Sequence, residues 1–305
     1  MKRQWMAIIL IGVAALCLPC TAALAGSYRL QYKMAPGEVW IATISTQSES
    51  TMMGQKNVNQ SKSTIEYRIS EGPKKGWMSL SARIKSQGGS KESGGMDMSK
   101  LLFTAEMHQS GELRNIQYSG SVMPPMDKDA GEMPPGMEAM YEQSTKMIAK
   151  AWENAVFWFP ELPEEPLQPG DEFEATHKMG MGNESMGMQM ESVSKQVFIL
   201  DEVSEGLAYF SVKERTVLKS EAPMGGKSDT QTAGKGDAVF DLKEGIWTDL
   251  TMKSRSKVEM GSIPGMGKTS QELNQISKYR MEKKYKQGYL ILNSSNPLQF
   301  ILNSF

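Results

Sequence analysis

Cysteine is the first scarcity. The 305-residue chain has two, Cys17 and Cys20, and both lie in an N-terminal stretch that reads as a leader. Once that leader is removed no thiol remains, which excludes disulfides, cysteine nucleophiles and thiolate metal sites. Histidine is nearly as scarce, with only His108 and His177. There is no Gly-x-Ser-x-Gly elbow, phosphate-binding glycine loop or His-Glu-x-x-His helix, so the sequence offers no enzyme chemistry. Long basic runs are absent, and a formal net charge of −1 argues against a nucleic-acid partner. After the leader, no apolar run is long enough to make a membrane-spanning helix.

The leader has three parts. Lys2 and Arg3 form a charged start, Met6 to Leu18 is apolar, and Ala23 and Ala25 place small residues at the −3 and −1 positions of a cleavage site. This predicts a secretory signal peptide over 1–25, cleaved after Ala25, and an exported, periplasmic protein. Pro19 before Cys20 argues against lipidation.

Beyond the leader the chain alternates between apolar and polar residues. The runs Val39–Ile44, Ser63–Ile69 and Trp77–Ile84 predict antiparallel strands, and Leu101–His108 with Glu112–Tyr118 predicts a hairpin turning at Ser110-Gly111. The same order returns after a proline-rich junction. Pro36, Gly37, Trp40 and Ala42 align with Pro169, Gly170, Phe173 and Ala175 at an offset of 133. Ser70-Glu71-Gly72 aligns with Ser204-Glu205-Gly206, and Gly111 with Gly245, at an offset of 134. Between the copies, Met137, Tyr141, Ile148, Ala151, Trp152 and Ala155 recur at helical spacing, with Pro134-Pro135 opening the helix and Pro160 ending it. The expected fold is α+β and mostly antiparallel. Two related curved β units, 26–122 and 169–287, are joined by one amphipathic helix and a Pro-rich connector over 123–168. A tail over 288–305 follows and ends on Phe305, as outer-membrane barrel strands do, but no series of lipid-facing strands precedes it.

The junction carries a resemblance. Leu162, Pro163, Pro166, Gly170, Asp171 and Phe173 fit a Leu-Pro-x-x-Pro-x-x-x-Gly-Asp-x-aromatic segment. In this the chain resembles a family of exported bacterial proteins of unknown function, in which that segment follows a helix and precedes a second β-rich half. More loosely, strands around a helix resemble the periplasmic lipoprotein carriers, an incomplete barrel with a helical lid.

Methionine is the excess. There are 25, of which only Met1 and Met6 leave with the leader. The densest run spans His177 to Met190. Read as two strands joined by Gly182–Ser185, it puts His177, Met179 and Met181 on one face with Met186, Met188 and Met190. The expected pairs are Met181 with Met186, Met179 with Met188 and His177 with Met190. Thioethers and imidazole suit Cu(I), and they equally suit a pliable apolar lining. A second set, Met123, Met126, Met133, Met137, Met140 and Met147, leads into and along the helix, where packing explains it. The carboxylates Asp127, Asp129, Glu161, Glu164 and Glu165 read as a solvated rim. Glu38 and Asp171, each following Pro-Gly, are expected to accept backbone N–H groups at their turns.

The sequence therefore points to non-enzymatic binding of a lipid-like or other apolar molecule between curved sheets, with no cofactor required. The alternatives are a Cu(I) protein using the methionine hairpin, and a structural or interaction module whose partner is an envelope protein.

Overall fold

The structure, a computed structural model, describes residues 26–52, 55–88, 98–122, 137–183, 188–221, 227–260 and 269–284. The leader, the C-terminal tail, Asp127, Asp129, Met123, Met126 and Met133 fall outside these. Eleven strands follow one another: β1 (Val39–Met52), β2 (Gln55–Glu71), β3 (Trp77–Gly88), β4 (Leu102–His108) and β5 (Leu113–Ser119) precede a helix, α1 (Met137–Val156). After it come β6 (Glu172–Asn183), β7 (Met188–Ser204), β8 (Leu207–Glu221), β9 (Lys227–Asp241), β10 (Ile246–Met260) and β11 (Thr269–Lys283).

These strands make one antiparallel sheet in the order β5-β4-β3-β2-β1-β11-β10-β9-β8-β7-β6. The α+β expectation, with two β units linked by an amphipathic helix, is overturned by this order. The fold is β-rich with a single continuous sheet, because β11 pairs with β1 on one side and β10 on the other and fuses the two meanders. The sequence between Gln271 and Lys286 carried no sign of that central place. The helix is an insertion between the last strand of one meander and the first of the next, and forms no layer of its own.

The three aligned signals lie at corresponding turns: before β1 and β6, between β2 and β3 as between β7 and β8, and between β4 and β5 as between β9 and β10. Glu38 Oε2 accepts the Ala35 N–H at 3.0 Å, and Asp171 Oδ2 accepts the Gln168 N–H at 2.7 Å. Each turn then bonds the second strand of its meander, Gly37 N–H to the Ile69 carbonyl and Gly170 N–H to the Leu200 carbonyl.

Alternation decides what each face does. Trp40, Ala42, Ile65, Tyr67, Leu80, Phe103, Phe198, Phe210, Phe240 and Trp247 are all buried on the inner face. Each of the large apolar side chains among them contributes about 1.5–3 kcal/mol by leaving water. Eleven strands laid flat would span roughly 48 Å. Three consecutive residues show that the sheet curls instead. Phe157 meets Phe103 of β4, Trp158 meets Trp247 of β10 and Tyr279 of β11, and Phe159 meets Tyr67 of β2.

The N-terminal segment 28–34 seals the same end. Tyr32 N–H bonds the Gln109 carbonyl in the β4–β5 turn, and Lys33 N–H bonds the Gly245 carbonyl in the β9–β10 turn. Close approach explains both aligned glycines. A Cβ on Gly245 would stand 2.4 Å from the Gln31 carbonyl oxygen, and one on Gly111 would stand 2.9 Å from the Tyr32 ring.

The curl leaves β5 and β6 as its two edges. The helix contacts β6, one of these edges. It buries Thr145, Ala149 and Val156, exposes Glu142, Lys146 and Lys150, and its last turn holds β2 through Tyr67 Oη on the Val156 carbonyl. The side chains of Met137, Met140 and Met147 lie outside the description.

Candidate functional site on the inner face

From the sealed end the inner face changes character strand by strand. On β7 the inward residues run Leu200, Phe198, Gln196, Ser194, Ser192, Met190, passing from apolar to polar and back to apolar. The middle of this run meets matching residues on its neighbours. One rung is Ala175–Gln196–Glu214, the next is His177–Ser194–Thr216–Thr232–Ser256, and the third is Met179–Ser192–Leu218–Thr230–Val258. A girdle of hydroxyl, amide, imidazole and carboxylate groups thus lies between a packed aromatic core and a methionine-bearing rim.

The girdle is partly wired to itself. Thr216 Oγ1 donates to Ser194 Oγ at 2.8 Å, and Ser194 Oγ donates to Glu214 Oε1 at 3.3 Å. Thr232 and Ser256 share a 2.7 Å hydrogen bond across β9 and β10. Among the described residues two atoms are left out: Nε2 of His177 and Oε1 of Gln196 are buried without a hydrogen-bond partner. Gln196 is only 6% exposed. Burial also pushes the His177 imidazole below its ordinary pKa, favouring the neutral ring. A buried polar atom without a partner costs about 1–3 kcal/mol. These two sit diagonally on adjacent strands, so one bound molecule can reach both.

The methionine hairpin has a different register from the expected one. Met181 lies opposite Met190, Asn183 opposite Met188, Met179 opposite Ser192 and His177 opposite Ser194. The reason lies at the far end of the strands. Gly170 and Asp171 bond Leu200, and Phe173 stacks on Phe198 with centroids 4.9 Å apart. That core pairing fixes every later pair, four residues out of step with the expected register. The displacement is even, so directly opposed residues keep their face, and Met190 still shares it with His177 and Met179. Met186 lies outside the described residues, as do the side chains of Met181 and Met188.

The other histidine sits apart. His108 Nδ1 lies 2.9 Å from Ser110 Oγ and its ring packs on Trp77. Glu161, Glu164 and Glu165 are exposed. Among the described residues no three His, Cys, Asp or Glu side chains gather in a metal-binding group. Sequence reasoning missed Gln196, Ser194, Glu214 and Thr216. The signal was available, since each continues the inward alternation of a strand that begins apolar.

No family model matches the chain, and no curated protein matches it. Solved structures with which it aligns include a mutant of the Rh. blastica porin (6% identity, 80% of this chain, 100% of that one, TM-score 0.27). Ail, the attachment invasion locus protein of Yersinia pestis, aligns at 6% identity over 81% and 100%, with a TM-score of 0.19. An outer membrane channel from Pseudomonas putida F1 aligns at 8% over 84% and 98%, with a TM-score of 0.20. Scores this low do not establish a common fold. The surface differs from a lipid-facing one too, since the outer face of β8 to β10 carries Lys213, Arg215, Lys235, Lys253 and Arg255, all exposed. Each would cost about 2–4 kcal/mol at a bilayer midplane. Among the described residues no helix is long and apolar enough to cross a membrane.

Proposed function

We propose that the protein is an exported, non-enzymatic binding protein of the cell envelope, periplasmic in location, which holds an amphiphilic ligand against the inner face of its curled sheet. The observation carrying this reading is the pair of buried, unpartnered atoms, His177 Nε2 and Gln196 Oε1, in a polar girdle beneath an apolar rim. The Gln196 oxygen needs a donor, so the ligand's polar end carries a hydroxyl or amine, which Glu214 can also accept. Its apolar part lies along Met179, Met190, Leu218 and Val258, which are half-buried. The aromatic core is filled by its own side chains, so the ligand lodges nearer the loop end of the sheet.

Native mass spectrometry of protein purified from its exported compartment tests this. A small-molecule adduct that disappears in His177→Leu and Gln196→Leu supports it. Bare protein after incubation with extracted envelope lipids, or an adduct indifferent to both substitutions, ends it.

A second reading uses the same imidazole. A neutral, unpartnered His177 Nε2 two residues from Met179, with Met190 on the same face of the neighbouring strand, fits a Cu(I) site of imidazole and thioethers. Here Met179→Leu with Met190→Leu abolishes stoichiometric Cu(I) uptake under reducing conditions. Unchanged uptake removes the copper reading and leaves the amphiphile reading untouched.

A further inference from the structure

The outer face of the sheet contains a rung that folding alone does not explain. Val197, Lys213, Lys235, Lys253 and Ile276 lie directly opposite one another across β7, β8, β9, β10 and β11. All three lysines are exposed, and Ile276 is one of the few large apolar side chains left open among the described residues, at 37%. Like charges directly opposed on neighbouring strands destabilise a sheet. Elsewhere on this surface several cross-strand charges are paired, as Lys195 with Glu174, Lys227 with Glu221, Arg255 with Glu272 and Lys56 with Glu49. Lys213, Lys235 and Lys253 make no ion pair among the described residues, and neither do Arg215 and Lys278 beside them. Asp237, two residues along β9, is the acid closest to them on that strand. The concentration is local, because the whole chain has a formal net charge of −1.

The shape of the face agrees with its charge. A groove of about 510 Å³ crosses it, lined by Ala233 and Ile276, by the cations Lys235, Lys253 and Arg255, and by one acid, Glu49, which pairs with Lys56. Adjacent strands are about 4.8 Å apart, so the three lysines form a cationic row roughly 10 Å long with an apolar residue at each end. A broad sheet face that mixes exposed cations with an open aliphatic side chain complements a surface bearing many anionic groups above an apolar layer.

We infer that the outer face of β8 to β11 docks on an anionic lipid bilayer, with Lys213, Lys235 and Lys253 on the phosphate-bearing headgroups and Ile276 reaching the interface. The inference concerns the face opposite the ligand-binding girdle and does not depend on what that girdle holds. A lysine near an anionic bilayer surface contributes about 1 kcal/mol, so losing three weakens binding roughly a hundred-fold.

The test is co-sedimentation of the purified protein with vesicles of phosphatidylcholine alone and of phosphatidylcholine mixed with phosphatidylglycerol. The protein should bind the mixed vesicles only, and added salt should release it. The triple variant Lys213→Gln, Lys235→Gln, Lys253→Gln should lose roughly a hundred-fold in affinity, with a Tm equal to or above that of the parent because the like-charge rung is relieved. Lys235→Gln alone, the middle of the row, should lose several-fold and guards against misfolding of the triple. Equal binding by parent and variants, or no binding by the parent, overturns the proposal. So does capture on heparin without vesicle binding, which would identify a soluble polyanion as the partner. His177→Leu should bind vesicles like the parent, which separates failure of this inference from failure of the ligand reading.

Discussion

The Trp247 indole N–H donates to Tyr32 Oη at 3.0 Å, and Tyr32 Oη donates onward to the Pro160 carbonyl at 3.0 Å. One hydroxyl thus joins β10, the N-terminal segment and the connector after the helix, all of it buried. Tyr32→Phe keeps the ring but strands a donor and an acceptor away from water, at a cost of about 2–4 kcal/mol. The melting temperature should fall by roughly 5–10 °C, with a change in tryptophan emission. An unchanged Tm would mean that the seal is held by packing alone.

The register of the methionine hairpin can be read by cross-linking, because the exported chain would contain no cysteine of its own. Lys178 lies opposite Val193 on the exposed face. The double variant Lys178→Cys, Val193→Cys should oxidise readily to a disulfide. Lys178→Cys with Gln189→Cys should not, because four residues of slip separate those positions by about 13 Å, beyond disulfide reach. The opposite result would restore the shorter-loop pairing.

Two carboxylates make the sheet sensitive to acid. Burial works to raise the pKa of Glu38, but hydrogen bonds from Lys283, the Ala35 N–H and the Trp40 indole outweigh it and hold the group below 4.5. For Glu66, burial is likewise outweighed by Arg68, Lys85 and Lys284. A depressed folded-state pKa contributes stability that is complete above the unfolded value and is lost as pH falls through the folded one. Glu38→Gln with Glu66→Gln should therefore melt below the parent near pH 7, and the gap should close as the pH falls below the unfolded carboxylate value and through the depressed folded-state ones. A gap that stays constant with pH would mean that charge plays no part.

Filling the girdle with carbon should trade binding for stability. His177→Leu and Gln196→Leu each remove a buried atom without a partner, so each should raise stability by about 1 kcal/mol while abolishing ligand capture. A loss of stability in both would show that these side chains serve the fold rather than a ligand.

Much of the architecture was written locally. Pro36-Gly37 and Pro169-Gly170 announce their turns, and the alternation through Ile65, Tyr67 and Ile69 announces an inward face. The helix was visible from Ala151, Trp152 and Ala155. What could not be seen was pairing between distant strands. Nothing near Tyr279 or Met281 says that they lie beside Ile44 and Ala42. For the same reason the sequence suggested two units where there is one sheet. The candidate site was half visible. Its methionines stood out by number, whereas Gln196 and Glu214 matter only because pairing brings them to one rung beside His177.

The central seam of the sheet joins the first strand to the last. β1 is complete by residue 52, yet its partner β11 begins only at Thr269. In a chain delivered from its N-terminus, β1 therefore waits with one edge unpaired until almost everything else has arrived. Contacts this distant in sequence slow folding, and an open edge of Ser, Thr and Ile residues is a template for strands from other chains. Newly delivered protein is most exposed to aggregation in that interval. Truncation between Met260 and Thr269 would make the interval permanent, leaving β1 and β10 as two further edges on a sheet that cannot close its seam.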